Sequence, residues 1–206
     1  MRKLVYYIAS TLDGFLAGPD GGDPSGPGGF WSIAEDYLTY VIAAYPETLP
    51  GPARDALSVT AEGTRFDTVL EGRRSYEVGI EAGITDAYPH LRHLVFSRTL
   101  GESPDPGVEI VATDPVARVR ELKQEEGKDL WLAGGGELAG SLYSEIDTLI
   151  VKLNPTTIGA GVPLFSRQAA FDPVAWSLTD HKILDSGTAF LTYERVTDTV
   201  VVTDED

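Results

Sequence analysis

A chain of 206 residues, 42% of them hydrophobic, fits one domain with a sizeable core. The absence of cysteine excludes disulfides, thiol nucleophiles and thiolate-bound metals, and the formal net charge of −16 argues against nucleic acid and anionic membranes as general partners. No apolar run approaches the roughly 18 residues of a membrane span and no signal-peptide pattern opens the chain, so a cytoplasmic protein is expected.

Residues 3–10 form an apolar, β-branched and aromatic run, as expected of a central strand buried on both faces. Thr11, Leu12, Asp13 and Gly14 follow. Residues 19–29 are too rich in glycine and proline for a helix or a central strand. A loop of this length inside one domain is usually functional or disordered. Asp20 and Asp23 lack calcium-loop spacing, so no metal is assigned there. Residues 31–45 are predicted to be helical: Ser32 caps, Glu35 completes a capping box and Asp36 suits the first turn. Ile33, Tyr37, Tyr40, Val41 and Ala44 supply its apolar face. Pro46, Pro50 and Pro52 then break the chain, and a second short helix is expected over 53–61.

A second strand, 67–71, ends at Gly72, Arg73, Arg74 and Ser75, where a helix should begin. Two arginines there are either surface charges or partners of a bound anion. Because they oppose the helix dipole, the anion explains them better. A third strand, 94–96, ends at Ser97, Arg98 and Thr99. His90 and His93 precede it with no third ligand in reach and are assigned to the surface. A fourth strand is expected over 108–112. Asp114 as N-cap and Pro115 at the first helical position open a helix through Val116, Val119, Leu122 and Lys123, and Gly127 stops it.

Residues 130–133 read as another buried strand. It stops at Gly134, Gly135 and Gly136, after which Leu138, Leu142 and Ile146 recur at helical spacing. Such a turn aims free backbone N–H groups at one place and lets an anion such as pyrophosphate approach; the alternative is a tight strand-to-helix turn without a ligand. The same residues satisfy G-x-G-x-x-G/A. That dinucleotide fingerprint belongs to the first βα unit of its domain, with an acidic residue about 20 positions on. Here the turn comes late, and residues 154–161 contain no carboxylate. The Rossmann reading fails on context, while the phosphate reading survives. Residues 147–153, with Lys152, form a further buried strand, 159–165 a turn, and 176–184 and 188–196 a hairpin. The acidic tail, 197–206, is expected to be mobile. No internal repeat is visible.

Three strand ends thus carry anion-friendly residues: 72–75, 97–99 and 134–136. With Ser10-Thr11-Leu12-Asp13-Gly14 and Pro155…Gly159-Ala160-Gly161-Val162-Pro163-Leu164-Phe165, in this order, they resemble the dihydrofolate reductase-like family. The nearer branch is the reductase (RibD C-terminal) domain of bacterial riboflavin biosynthesis, and the similarity covers residues 3–196 as one domain. It implies an α/β fold: a mostly parallel central sheet flanked by helices, with an antiparallel C-terminal strand pair. It also implies NADPH along the strand ends and a homodimer.

By this resemblance, Gly72, Arg73, Arg74 and Ser75 and the turn of Ala133, Gly134, Gly135, Gly136, Glu137 and Leu138 hold the cofactor's phosphates. Ser97 and Arg98 take the 2′-phosphate, where the planar arginine fork favours NADPH over NADH. Ala9, Leu16 and the loop to Gly29 border the nicotinamide, the loop acting as a lid. Trp31 and Asp36 stand at the spacing of the tryptophan and pterin-binding carboxylate of folate reductases, with Tyr40 one turn later. Asp13 resembles the aspartate of the family's Ser-Leu-Asp-Gly motif, with Thr11 inserted. Asp36 and Asp13 are therefore the candidate catalytic residues, though Asp36 also suits a helix N-terminus and Asp13 a turn. Trp31, Tyr40 and Lys152 are candidate substrate contacts. The long segment before the second strand departs from folate reductases, and without the cysteines of a zinc deaminase a two-step riboflavin enzyme is excluded. The implied activity is NADPH-dependent hydride transfer to a small heterocyclic (pterin- or pyrimidine-like) or carbonyl substrate. The alternative is a non-catalytic nucleotide- or flavin-binding module on the same fold.

Overall fold

Leu4–Thr11 (β1) sits mid-sheet because both its faces are apolar: Leu4 and Tyr6 enter one core, Val5 and Tyr7 the other. The computed structural model describes residues 1–26, 28–166 and 171–197. Phe15–Ala17 (β2) follows β1, and the remaining strands are Phe66–Gly72 (β3), Arg92–Phe96 (β4), Val108–Val111 (β5), Asp129–Gly134 (β6), Thr148–Asn154 (β7), Val162–Pro163 (β8), Trp176–Ile183 (β9) and Ala189–Arg195 (β10). Eight of them form one sheet in the order β5-β4-β3-β6-β1-β7-β10-β9. The first six are parallel, and β10 and β9 join antiparallel at the β7 edge, as expected.

Helices cover both faces, so the strands are buried on both sides. The α4 helix (Pro115–Gln124) packs Val119 and Leu122 into one core, and α5 (Gly136–Ser141) adds Leu138 and Ala139. On the opposite face α1 (Glu35–Ala44) contributes Val41, beside Tyr45 and Leu49. Asp114 caps α4 as expected, its carboxylate accepting from the Val116 N–H at 2.9 Å.

Three expectations are corrected. The helix expected over 31–45 starts only at Glu35, with Ala34 in the cap position and no side-chain cap bond. Residue 31 is instead drawn back toward the preceding loop: the Trp31 N–H donates to the Pro24 carbonyl at 2.9 Å. The helix expected over 53–61 is Gly51–Ala56 (α2), with proline in its first turn; it stops before Ser58, whose φ of +54° cannot continue a helix. His93 is not a surface residue. It is fully buried, and Glu71 and Asp86 supply partners for both ring nitrogens. The expected acidic tail lies, past residue 197, outside the described residues.

A second, two-stranded ribbon pairs β2 with β8 antiparallel. It needs a glycine: a Cβ on Gly161 would stand 2.1 Å from the Ala17 carbonyl oxygen. Among the described residues no helix is long and apolar enough to cross a membrane.

Candidate active site

Because β3, β4, β6 and β1 run parallel, their carboxyl ends open on one side, where ligands of open α/β sheets bind. A groove of about 1190 Å³ runs along these ends. That exceeds the roughly 300–1,000 Å³ of a pocket for one drug-sized molecule. Ala9, Leu16, Trp31, Lys152, the 72–75 turn, Ser97, Arg98 and residues 133–138 all line it.

Two strand-to-helix turns meet at its floor. Gly72 ends β3, and α3 (Arg73–Glu81) starts at the next residue with no side chain capping its N–H groups. Gly135 takes the same position before α5, again uncapped. A Cβ on Gly72 would lie 3.6 Å from both the Gly134 oxygen and the Gly135 nitrogen, so the two turns share one surface. Gly134 has a φ of +140°, which side-chain-bearing residues rarely adopt. Gly136 is glycine for another reason: its Cβ would collide with the Pro163 carbonyl oxygen at 2.2 Å. Packing against β8 thus suffices to require glycine there.

The cations along the groove differ in commitment. Arg73 is used internally, donating to Glu77 Oε1 at 2.5 Å and to Thr99 Oγ1 at 2.6 Å. Among the described residues Arg74 reaches only the Asp20 carbonyl, at 3.4 Å. Among the described residues neither Arg74 nor Arg98 pairs with a carboxylate. The Ser97 hydroxyl accepts from the Leu100 N–H at 2.9 Å, bending the chain so that Arg98 stands exposed at the rim. Uncapped N–H groups, glycines and uncommitted arginines in one trough fit a ligand with several phosphates.

The other end of the groove is aromatic. Lys152 Nζ sits 4.2 Å above the Tyr7 ring, a cation–π contact. Burial pushes the Tyr7 and Tyr88 phenols well above their ordinary range, so both stay protonated. Tyr7, Tyr88, Trp131 and Glu71 line this end and were not singled out from the sequence. The tyrosines and the tryptophan looked like ordinary core residues, whereas Glu71 carried a signal: a carboxylate ending an apolar strand just before a glycine.

Three singled-out residues lie elsewhere. Asp13, Asp36 and Tyr40 are not among the groove's lining residues. Asp13 accepts from Thr11 Oγ1 at 2.6 Å and from the Ile158 and Gly159 N–H groups at 3.0 and 2.7 Å. These bonds, that of Thr11 foremost, hold its carboxyl below the ordinary range. Asp36 accepts from the Ser186 N–H at 2.8 Å and from the Tyr37 N–H at 2.7 Å, which ties α1 to the β9–β10 turn and lowers its pKa, the Ser186 bond foremost. Tyr40 packs edge-on against Phe190, centroids 4.7 Å apart. Among the described residues no three His, Asp or Glu gather as metal ligands.

The model of the RibD C-terminal domain matches residues 82–190. The chain is 32% identical over 169 residues to the uncharacterized protein YwjB of Bacillus subtilis (strain 168), covering 80% of this chain and 83% of that one. A second uncharacterized protein of that strain, YyaP, is 25% identical over 177 residues, covering 80% of each. Among solved structures, a putative riboflavin biosynthesis protein from Shewanella sp. PV-4 superposes with a TM-score of 0.67 at 20% identity, over 95% of this chain and 99% of that one. Dihydrofolate reductase from Enterococcus faecalis, solved in complex with NADP(H) and RAB-propyl, gives a TM-score of 0.60 at 17% identity, over 94% of this chain and 96% of that one. These two likenesses establish the fold. The chain belongs to the RibD C-terminal domain family, on a dihydrofolate reductase-like fold.

Proposed function

We propose that this protein is an NADPH-dependent reductase that transfers hydride to a small heterocyclic, pterin- or pyrimidine-like, or carbonyl substrate. The observation that carries the reading is the trough itself: two uncapped glycine turns in contact, with Arg74 and Arg98 free of carboxylates among the described residues. The 72–75 and 133–138 turns would hold the pyrophosphate, Arg98 with Ser97 the 2′-phosphate, and Ala9 and Leu16 the nicotinamide edge. NADPH supplies the hydride when bound; the chain orients it and excludes water. Trp31 and Lys152 are the proposed substrate contacts. Asp13 and Asp36 support the site from outside the groove through their hydrogen bonds, and Tyr40 through its packing on Phe190.

The test is a titration of NADPH and NADH followed by tryptophan quenching. Trp31 and Trp131 both line the groove, so a bound nucleotide should dim them. Arg98→Ala should weaken NADPH by about 10- to 100-fold, the equivalent of the roughly 1.5–3 kcal/mol of a hydrogen bond to a charged group, and leave NADH within about twofold. Failure of both nucleotides to bind would sink the reading.

A further inference from the structure

Hydride transfer to a C=N or C=O bond leaves the heteroatom in need of a proton, and the groove contains one arrangement able to supply it. Glu71, the last residue but one of β3, stands beside Gly134, its register partner on β6, and lines the groove at its aromatic end. Its Oε2 is 3.0 Å from His93 Nε2, and His93 Nδ1 is 2.8 Å from Asp86 Oδ1. His93 is fully buried and Glu71 is 7% exposed. The second oxygen of Asp86 faces Gly107, an exposed residue. The three side chains thus form a line from the groove, through the protein, to Asp86, whose side chain is 9% exposed beside Gly107.

Stability alone does not account for this line. An apolar side chain at the end of β3 would serve the fold at least as well as a buried ion pair. Both oxygens of Asp13 and of Asp36 are engaged by N–H or hydroxyl donors. Glu71 Oε1, by contrast, has no hydrogen-bond partner among the described residues. The other titratable groups facing the line are the phenols of Tyr76 and Tyr88, whose rings stand edge-on to His93 at 5.9 and 5.7 Å, and, at the Asp86 end, His90, which feels the Asp86 charge, and Asp105, whose carboxylate also faces Gly107. Tyr88 in turn feels the charges of Glu71 and Asp23.

We propose that Glu71, backed by His93 and Asp86, is the acid that delivers the proton completing the reduction. The proposal rests on the reductase reading above. The hydride and its electron pair come from the cofactor and form the new C–H bond. The π bond of C=X opens, and X takes the proton held by the Glu71–His93 pair, so C=X becomes HC–XH. The pair, one proton short, is refilled from solvent through Asp86. Glu71 is the catalytic residue of the line; His93 and Asp86 act through it, as positioning residues.

The oxidised nicotinamide carries a positive charge that the reduced ring lacks. If Glu71 lies against the ring, the two redox states must bind with different numbers of protons on the line. Calorimetric titration of NADP⁺ and NADPH in two buffers of different ionisation enthalpy, across a pH series, counts those protons without any substrate. The wild type should release up to about one proton more with NADP⁺ than with NADPH. Glu71→Gln should abolish most of that difference, and Asp86→Asn, a gentler change at the outer end, should move its pH midpoint downward. Equal proton counts for the two nucleotides in the wild type, or counts unchanged in both variants, would overturn the proposal while leaving the reductase reading intact. Absence of nucleotide binding would overturn both.

Discussion

His93 shows how one residue's chemistry depends on what the fold puts beside it. Burial alone would pull its pKa down, but the hydrogen bonds and charges of Glu71 and Asp86 reverse this and leave it above the ordinary 6.5. A raised value in the native state makes the stabilisation complete below about pH 6.5 and progressively lost as pH rises through the native pKa. Urea midpoints measured from pH 6 upward should therefore fall through that window, and His93→Gln should flatten the slope. The histidine's role was hidden in the sequence because its partners are 22 and 7 residues away. The three glycines at 134–136 were legible as a turn, but not in their division of labour. Gly136→Ala should cost about 1–3 kcal/mol in chemical denaturation, the usual range for overpacking, because its Cβ meets a backbone carbonyl that cannot swing aside.

At the scale of the element, the strands were easiest to read, because a strand buried on both faces tends to an unbroken apolar run; β1 and β6 are largely of that kind, and β3 and β7 keep its core in Val69-Leu70 and Leu149-Ile150-Val151. Helix starts were legible where a cap and a proline coincide. Asp114 before Pro115 is such a case, and Asp114→Ala should lower stability by about 0.5–2 kcal/mol, measurable as a shift in the urea midpoint at unchanged slope. The start of α1 was misread because Ser32 and Glu35 form a capping-box pattern that the chain does not use. Local spacing identifies residues able to cap; the bond from the Trp31 N–H to Pro24 decides that the helix starts later. The same limit applies to Asp36, whose partner at Ser186 lies 150 residues away.

For the whole molecule, the resemblance carried the mostly parallel sheet with its antiparallel C-terminal pair, and the strand-end turns it singled out line one groove. It did not carry the aromatic end of that groove, where Tyr7, Glu71, Tyr88 and Trp131 converge from three strands and a loop. Residues that meet only through tertiary packing leave no spacing to read. The small β2–β8 ribbon has a further consequence. Through Gly161 it lies against Ala17, just before the 19–26 segment, and through Pro163 it lies against Gly136 at the glycine turn. The segment over the groove and the floor beneath it are therefore fastened to the same short stretch, 161–163. For the nucleotide proposed above, mutations in this ribbon should show first in how long it stays, before they alter how fast it arrives.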